Sequence, residues 1–117
     1  MRSILCIGEI AVDRYLDLGR EHIGGISLNF AVNARRRGVE RVALISAVGN
    51  DAGGMLARQK LACEGIDHSR VATIAGPTAH QDIRIVDGER FFPPGGYGAG
   101  VLAGFHVQDC VVELFFG

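Results

Sequence analysis

Gly24-Gly25-Ile26-Ser27-Leu28-Asn29 opens a predicted helix shortly after an apolar strand that ends in Asp13. This passage from strand to helix reads as one side of a pocket for a ligand bearing many hydroxyls. The two glycines leave backbone bare, with no Cβ to hold a ligand away. A helix start supplies free N–H groups at the same place. Asn29, one turn in, offers a donor and an acceptor together, and Asp13 is an acceptor-only carboxylate suited to gripping a pair of hydroxyls. Asp13, Gly24, Gly25 and Asn29 are therefore the candidate substrate-binding residues. Each also has a plainer reading: Asp13 as an ion-pair partner of Arg14 or Arg20, the glycines as a tight turn, Asn29 as a helix residue bonded to a neighbouring carbonyl.

Working outward, residues 4–7 continue through Ile10, Ala11 and Val12 as an apolar run. The run predicts one strand buried on both faces, as in a parallel sheet. Residues 15–18 are expected to add a short exposed strand before a turn at Gly19. A helix is predicted over 27–37, with Leu28, Ala31, Val32 and Arg35 on one stripe and Gly38 as its stop. Arg35, Arg36 and Arg37 fall in its last turn, where the macrodipole favours cations. Residues 42–48 read as a second buried strand. Asp51 is expected to cap a helix over 52–64, with Met55, Leu56, Ala62 and Cys63 as its apolar stripe. A third strand follows at 71–75. Ile83 and Ile85 then alternate with polar neighbours, Asp87-Gly88 makes a two-residue hairpin turn, and 89–92 return. Residues 95–104 are expected to be loop or weakly structured, and 110–116 a last strand of buried type.

That order of elements argues for an α/β fold with a largely parallel sheet. The last strand needs cover on both faces close to the final residue, so the polypeptide reads as a truncated one. It is expected to associate, because that apolar edge would otherwise stand in water.

Composition narrows the function classes. The chain has 117 residues, 48% of them hydrophobic, which suits one domain with a sizeable core. Its 12 Lys and Arg nearly cancel 13 Asp and Glu, so no field favours nucleic acid or an anionic membrane. Cys6, Cys63 and Cys110 lack metal or redox spacing and sit among apolar residues, the pattern of buried, reduced thiols in a cytoplasmic protein. Glu9 and Asp13 interrupt the opening apolar run, which excludes a signal peptide, and no run approaches a membrane span. His22, His68, His80 and His106 have no metal-ligand spacing. His80, Gln81, Arg84 and Arg90 lie on or beside the hairpin and are expected to be charged or polar side chains turned to solvent. Gly49-Asn50-Asp51 reads as a structural turn. A dinucleotide-binding domain is set aside, because Ile7-Gly8-Glu9-Ile10-Ala11 lacks the G-x-G-x-x-G fingerprint.

The chain resembles the N-terminal part of the ribokinase/PfkB family of sugar kinases. The matching residues are Ile7-Gly8-Glu9 through Val12-Asp13, Gly24-Gly25 with Asn29, Ala31 and Gly38, Val42 to Ile45, Val48 to Asp51 with Gly53, Leu61, Gly65 to Asp67, and Thr78-Ala79. Ser27 and Asn50 depart from the usual pattern without touching the sugar-contacting positions. The short link from Asp13 to Gly24 and the loop 96–101 look more like the fructoselysine 6-kinase branch than like ribokinase itself.

The resemblance implies a ribokinase-like three-layer α/β sandwich with a small β lid, here at about 14–23 and 80–93. It implies that Asp13, Gly24, Gly25 and Asn29 hold the hydroxyls of a sugar, fructoselysine or a related one, and that ATP with Mg²⁺ is the phosphoryl donor of the complete enzyme. It further implies a homodimer formed through the lid or the exposed sheet edge. The family's catalytic aspartate lies in a late Gly-Ala-Gly-Asp segment. Gly98-Ala99-Gly100 imitates that segment, but Val101 replaces the aspartate, and an aliphatic side chain takes no proton from an attacking hydroxyl. The catalytic and ATP-binding half is thus expected to be missing, leaving a chain that turns nothing over and binds neither ATP nor Mg²⁺ well. The alternative expectation is a truncated, non-catalytic sugar-binding or assembly module.

Overall fold

The computed structural model describes residues 2–105. Cys110, His106 and the strand expected at 110–116 lie outside the described residues. In chain order the elements are β1 (Ser3–Ile7), β2 (Ala11–Tyr15), β3 (Arg20–Gly24), α1 (Ile26–Arg36), β4 (Arg41–Gly49), α2 (Ala52–Cys63), β5 (Val71–Ile74), β6 (His80–Val86), β7 (Glu89–Phe91) and β8 (Tyr97–Gly98), closed by a 3-10 turn at Gly100–Gly104.

They form two sheets. The first is parallel, in the order β1-β4-β5, with Ile4 opposite Val42 and Ser46 opposite Val71. The second has the order β3-β2-β6-β7, with β8 on β6, and mixes directions: β2 runs parallel to β6 and antiparallel to β3. Helices α1 and α2 share one buried cluster with the first sheet, in which Leu28, Leu44, Val48 and Leu61 are fully enclosed. Side chains alternate along a strand. Cys6 therefore enters that core while Leu5 and Ile7, on the other face, stay exposed.

The apolar run expected as one strand is two. The chain breaks at Gly8, whose φ is 151°. A Cβ there would lie 2.1 Å from Ser27 Oγ, so only glycine lets α1 pack over the turn. Ile10 is fully buried, and β2 then leaves the first sheet for the second. Of the short strand expected at 15–18, Tyr15 ends β2 and 16–18 form a turn, after which β3 returns as the antiparallel partner of β2. Asp13 consequently sits in the middle of a strand, between His22 and Gln81, and not at a strand tip.

Helix α2 is capped as expected, with Asp51 Oδ1 accepting from Gly54 N at 2.9 Å. Its buried face differs from the expected one: Gly54, Ala57 and Leu61 point inward, while Met55, Leu56, Ala62 and Cys63 are exposed. The cause is close approach. A Cβ on Gly54 would lie 2.0 Å from Gly49 O, and one on Gly53 would lie 2.8 Å from Val12 Cγ2. The two glycines at the start of α2 set how closely it packs, and the face bearing Gly54, Ala57 and Leu61 is the one turned inward. Cys63 is accordingly an exposed thiol, whereas Cys6 is buried as expected.

The hairpin forms as the Asp87-Gly88 pair predicts, with φ of 51° and 78° at the two turn residues. The segment expected as loop or weakly structured at 95–104 holds the two-residue β8 and the 3-10 turn. Val101 is buried there, so the imitation of the glycine-rich segment serves packing.

Candidate functional site

The first sheet hands its chain over to the second at the carboxyl end of β1, and a pocket opens there. In open α/β sheets ligands bind outside the carboxyl ends of strands. The pocket has a volume of about 290 Å³, and Asp13, Gly25 and Asn29 line it together. A larger groove of about 720 Å³ runs past Ser3, Leu5, Arg41 and Asp67 at the opposite, amino end of the strands. Glu40, Arg41 and Asp67 line that groove, but it lies at the amino end of the strands, away from the carboxyl ends where such sheets bind ligands, so the smaller pocket is the candidate site.

Of the four residues expected from sequence, Gly24 alone does not line the pocket. It is buried beneath it, and a Cβ there would lie 2.5 Å from Asp13 Oδ2. Gly25 has φ 103°, and a Cβ on it would lie 2.5 Å from Glu9 O. The bare backbone thus receives the chain's own groups: Gly24 makes room for the Asp13 carboxylate, and Gly25 lets α1 start against the 9–11 backbone. With Gly25 as N-cap, α1 has no side-chain cap and no acidic residue in its first turn. The Asn29 amide is spent on Gly25 O at 2.9 Å, while the Asn29 side chain is exposed at the pocket.

Asp13 is half-buried. Burial pushes its carboxyl above the ordinary range; the Arg90 cation opposes that rise, Glu9 adds to it and His22 opposes it. Among the described residues no side chain donates a hydrogen bond to this carboxylate, which leaves its acceptor capacity for a ligand. A partly desolvated carboxylate with free lone pairs binds hydroxyls well, because a buried acceptor gains from any donor.

The pocket also contains residues that sequence reasoning assigned to the surface or passed over. Gln81 and Arg90 line it, as do Glu9, Phe92 and Tyr97. Tyr97 Oη donates to Glu9 Oε2 at 2.8 Å, and that bond is the main reason the Tyr97 hydroxyl holds its proton more firmly than usual. The Arg90 guanidinium lies 5.4 Å from the Phe92 ring centre and 6.0 Å from that of Tyr15. One signal was available: the hairpin places Arg90 in β7 and Phe92 one residue beyond its end, two residues apart, the spacing that strand alternation puts on one face. Which way that face looks depends on β2 pairing with β6, and no local pattern carries that.

The remaining candidates have structural partners. Asp51 caps α2 and also accepts from Thr78 N at 2.9 Å and Thr78 Oγ1 at 2.7 Å. Burial raises the Asp51 pKa, but the bonds from Thr78 and Gly54 outweigh it and hold the group below its ordinary value. Arg36 pairs with Glu64, and Arg84 pairs with Asp17. Among the described residues no group of three or more His, Cys, Asp or Glu side chains is placed to hold a metal ion.

A parallel sheet with helices, a second sheet of mixed direction, and a polar pocket lined by that second sheet and the start of α1 make an α/β architecture with a separate β layer beside the site. Residues 1–112 match the pfkB family carbohydrate kinase profile, and the chain belongs to that family. It is 36% identical over 109 residues to fructoselysine 6-kinase from Escherichia coli (strain K12), an alignment covering 93% of this chain. The chain spans 41% of the length of that relative. Among solved structures, fructokinase from Halothermothrix orenii superposes with a TM-score of 0.67 at 27% identity, over 85% of this chain and 39% of that one. An uncharacterized sugar kinase from Pyrococcus horikoshii, solved in complex with ATP, gives 0.67 at 28% identity over 76% of this chain and 32% of that one. A putative ribokinase from E. coli covers 97% of this chain and 41% of its own, with a TM-score of 0.71 at 20% identity, which speaks for the ribokinase-like fold alone. Among the described residues no helix is long and apolar enough to cross a membrane.

Proposed function

We propose that this chain is the sugar-binding portion of a cytoplasmic, ATP-dependent carbohydrate kinase that transfers the γ-phosphoryl group to a sugar hydroxyl, with fructoselysine or a related ketose as acceptor. Asp13 accepts from two sugar hydroxyls, Asn29 donates to and accepts from others, and Gly25 brings the open N-terminus of α1 to the same space. Gly24 acts one layer back, by seating Asp13. The second sheet, with its outer parts at about 14–23 and 80–93, serves as the lid over the sugar. The general base and the groups that hold ATP and Mg²⁺ come from outside the described residues.

One observation carries the reading: a half-buried carboxylate with no side-chain donor among the described residues lines, together with Asn29, a pocket of about 290 Å³. The fructoselysine 6-kinase resemblance supports the choice of acceptor. Calorimetric titration of this chain with fructose and other sugars tests it. Sugar binding is expected in the absence of ATP, and Asp13→Asn should weaken it about 10- to 100-fold, the worth of hydrogen bonds to a charged acceptor. Absence of sugar binding, or an Asp13→Asn chain that binds as well as the parent, would overturn the proposal.

A further inference from the structure

A cation stands in the pocket, and the fold of the second sheet holds it there. Arg90 lies in β7, opposite Ile85 of β6. Further back along β6, Ile83 pairs with Tyr15 and Gln81 pairs with Asp13. Paired residues share a face, and every second residue of a strand returns to it. Asp13, Tyr15, Gln81, Ile83 and Arg90 therefore occupy one side of the sheet. Ile83 is fully buried there, and the Arg90 guanidinium reaches past it to stand 6.0 Å from the Tyr15 ring centre and 5.4 Å from that of Phe92.

At those distances the ring faces attract a cation, so two aromatic side chains fix where the charge sits. Among the described residues Arg90 makes no ion pair and donates no hydrogen bond, so no direct partner consumes its charge. Tyr15 is the next residue after Asp13 on the shared face, which places the held cation beside the candidate carboxylate. Three charged or titratable groups act on Asp13: Arg90 from β7, Glu9 from the turn before β2, and His22 from β3. Arg90 acts most strongly of the three. Its neighbours Gln81 and Tyr97 carry no charge, and Tyr97 is bonded to Glu9.

A sugar entering the pocket displaces water from Asp13, and losing that water penalises the charged carboxylate. A cation already in place offsets the penalty. Arginine suits the task, because its guanidinium is weakly hydrated and lies flat on aromatic rings, where a lysine ammonium would keep its water. We infer that Arg90, held against Phe92 and Tyr15, is a positioning residue for sugar binding: it acts through Asp13, keeping that carboxylate charged as water leaves the pocket. The inference rests on the sugar-pocket reading and adds to it a residue remote from the strand-to-helix passage.

Fructose titrations of the parent chain and of Arg90→Gln over a pH series test it, with the Asp13 carboxyl carbon followed by NMR in the same ligand-free chains. Arg90→Gln is expected to weaken fructose binding about two- to fivefold near neutral pH, the worth of one exposed charge to another. It should also move the acid loss of affinity, and the Asp13 titration, to higher pH, since a carboxylate without its cation takes up a proton sooner. Arg90→Lys keeps the charge and should restore most of that displacement. Phe92→Leu removes a ring but not the charge, and should give a smaller shift in the same direction, a comparison that stands if Arg90→Gln fails to fold. In an Asp13→Asn background Arg90→Gln should change nothing further. Weakening that is equal at every pH and adds to that of Asp13→Asn would mean that Arg90 contacts the sugar itself, and would overturn the inference. An Asp13 carboxyl that titrates at the same pH with and without Arg90 would overturn it as well, while leaving the sugar pocket intact. Absence of fructose binding by the parent chain would instead bring down the pocket reading, and this inference with it.

Discussion

At the scale of single residues, the two glycines have different functions, and substitution should separate them. An alanine at Gly24 would push its Cβ to within 2.5 Å of Asp13 Oδ2, the far end of a flexible side chain. Gly24→Ala is therefore expected to cost little stability, under about 1 kcal/mol, yet to displace the carboxylate and weaken sugar binding as Asp13→Asn does. Gly25→Ala meets backbone at 2.5 Å with φ 103°, and should destabilise the fold by about 1–3 kcal/mol. Thermal melts alongside titrations distinguish the two outcomes. The pH dependence follows from Asp13. Its carboxyl is raised above 3.8 by burial, so the acceptor form is lost, as pH falls, before an ordinary aspartate would protonate. Sugar affinity should fall on acidification in that window, and Asp13→Asn should remove the dependence. Asp13, Gly25 and Asn29 were legible in sequence because they border one local passage from strand to helix. Gln81, Arg90 and Tyr97 were not, because the Asp13–Gln81 register brings them in from 68 or more residues away.

At the scale of elements, small residues decide where chain segments turn and which faces they bury. Gly8 divides an apolar run that reads as one strand, and Gly53 with Gly54 turns α2 so that Met55 faces water. Hydrophobic periodicity ranks residues by size and apolarity. It is blind to the backbone contacts that only glycine permits, which is why the strand and the helix stripe were misread while the caps and the hairpin were not. Asp51 joins two elements, since it caps α2 and accepts from Thr78 at the entry to β6. Asp51→Ala should cost about 0.5–2 kcal/mol, the usual worth of an N-cap. Differential scanning calorimetry should show this as a Tm lowered by several degrees. The acid limb gives a second readout. Because the folded-state pKa of Asp51 lies below 3.8, the stability it adds is present above 3.8 and lost as pH falls through the depressed value. Asp51→Ala should flatten that limb.

At the scale of the whole molecule, the chain passes from the first sheet to the second between β1 and β2, and the pocket lies beside that passage, with Glu9, Ala11 and Asp13 in its lining. The second sheet leaves Leu18, Val86, Phe91 and Phe92 exposed, and the first leaves Leu5 and Ile7. Apolar area of that kind favours association. We therefore propose a homodimer formed through the second sheet or the free edge of the first; light scattering across a concentration series should give a mass above that of one chain, and a monomer throughout would contradict it. The α/β class, the hairpin and the family were readable from residues, whereas the division into two sheets was not, because it depends on strand pairings remote in sequence. The central claim is that sugar binds between Asp13 and Asn29. Amide chemical shifts followed by NMR during a fructose titration test it most directly. Saturable shifts are expected at Asp13, Gly25 and Asn29, with none at Ser3, Arg41 or Asp67 in the opposite groove. Shifts confined to that groove, or none at all, would contradict the account.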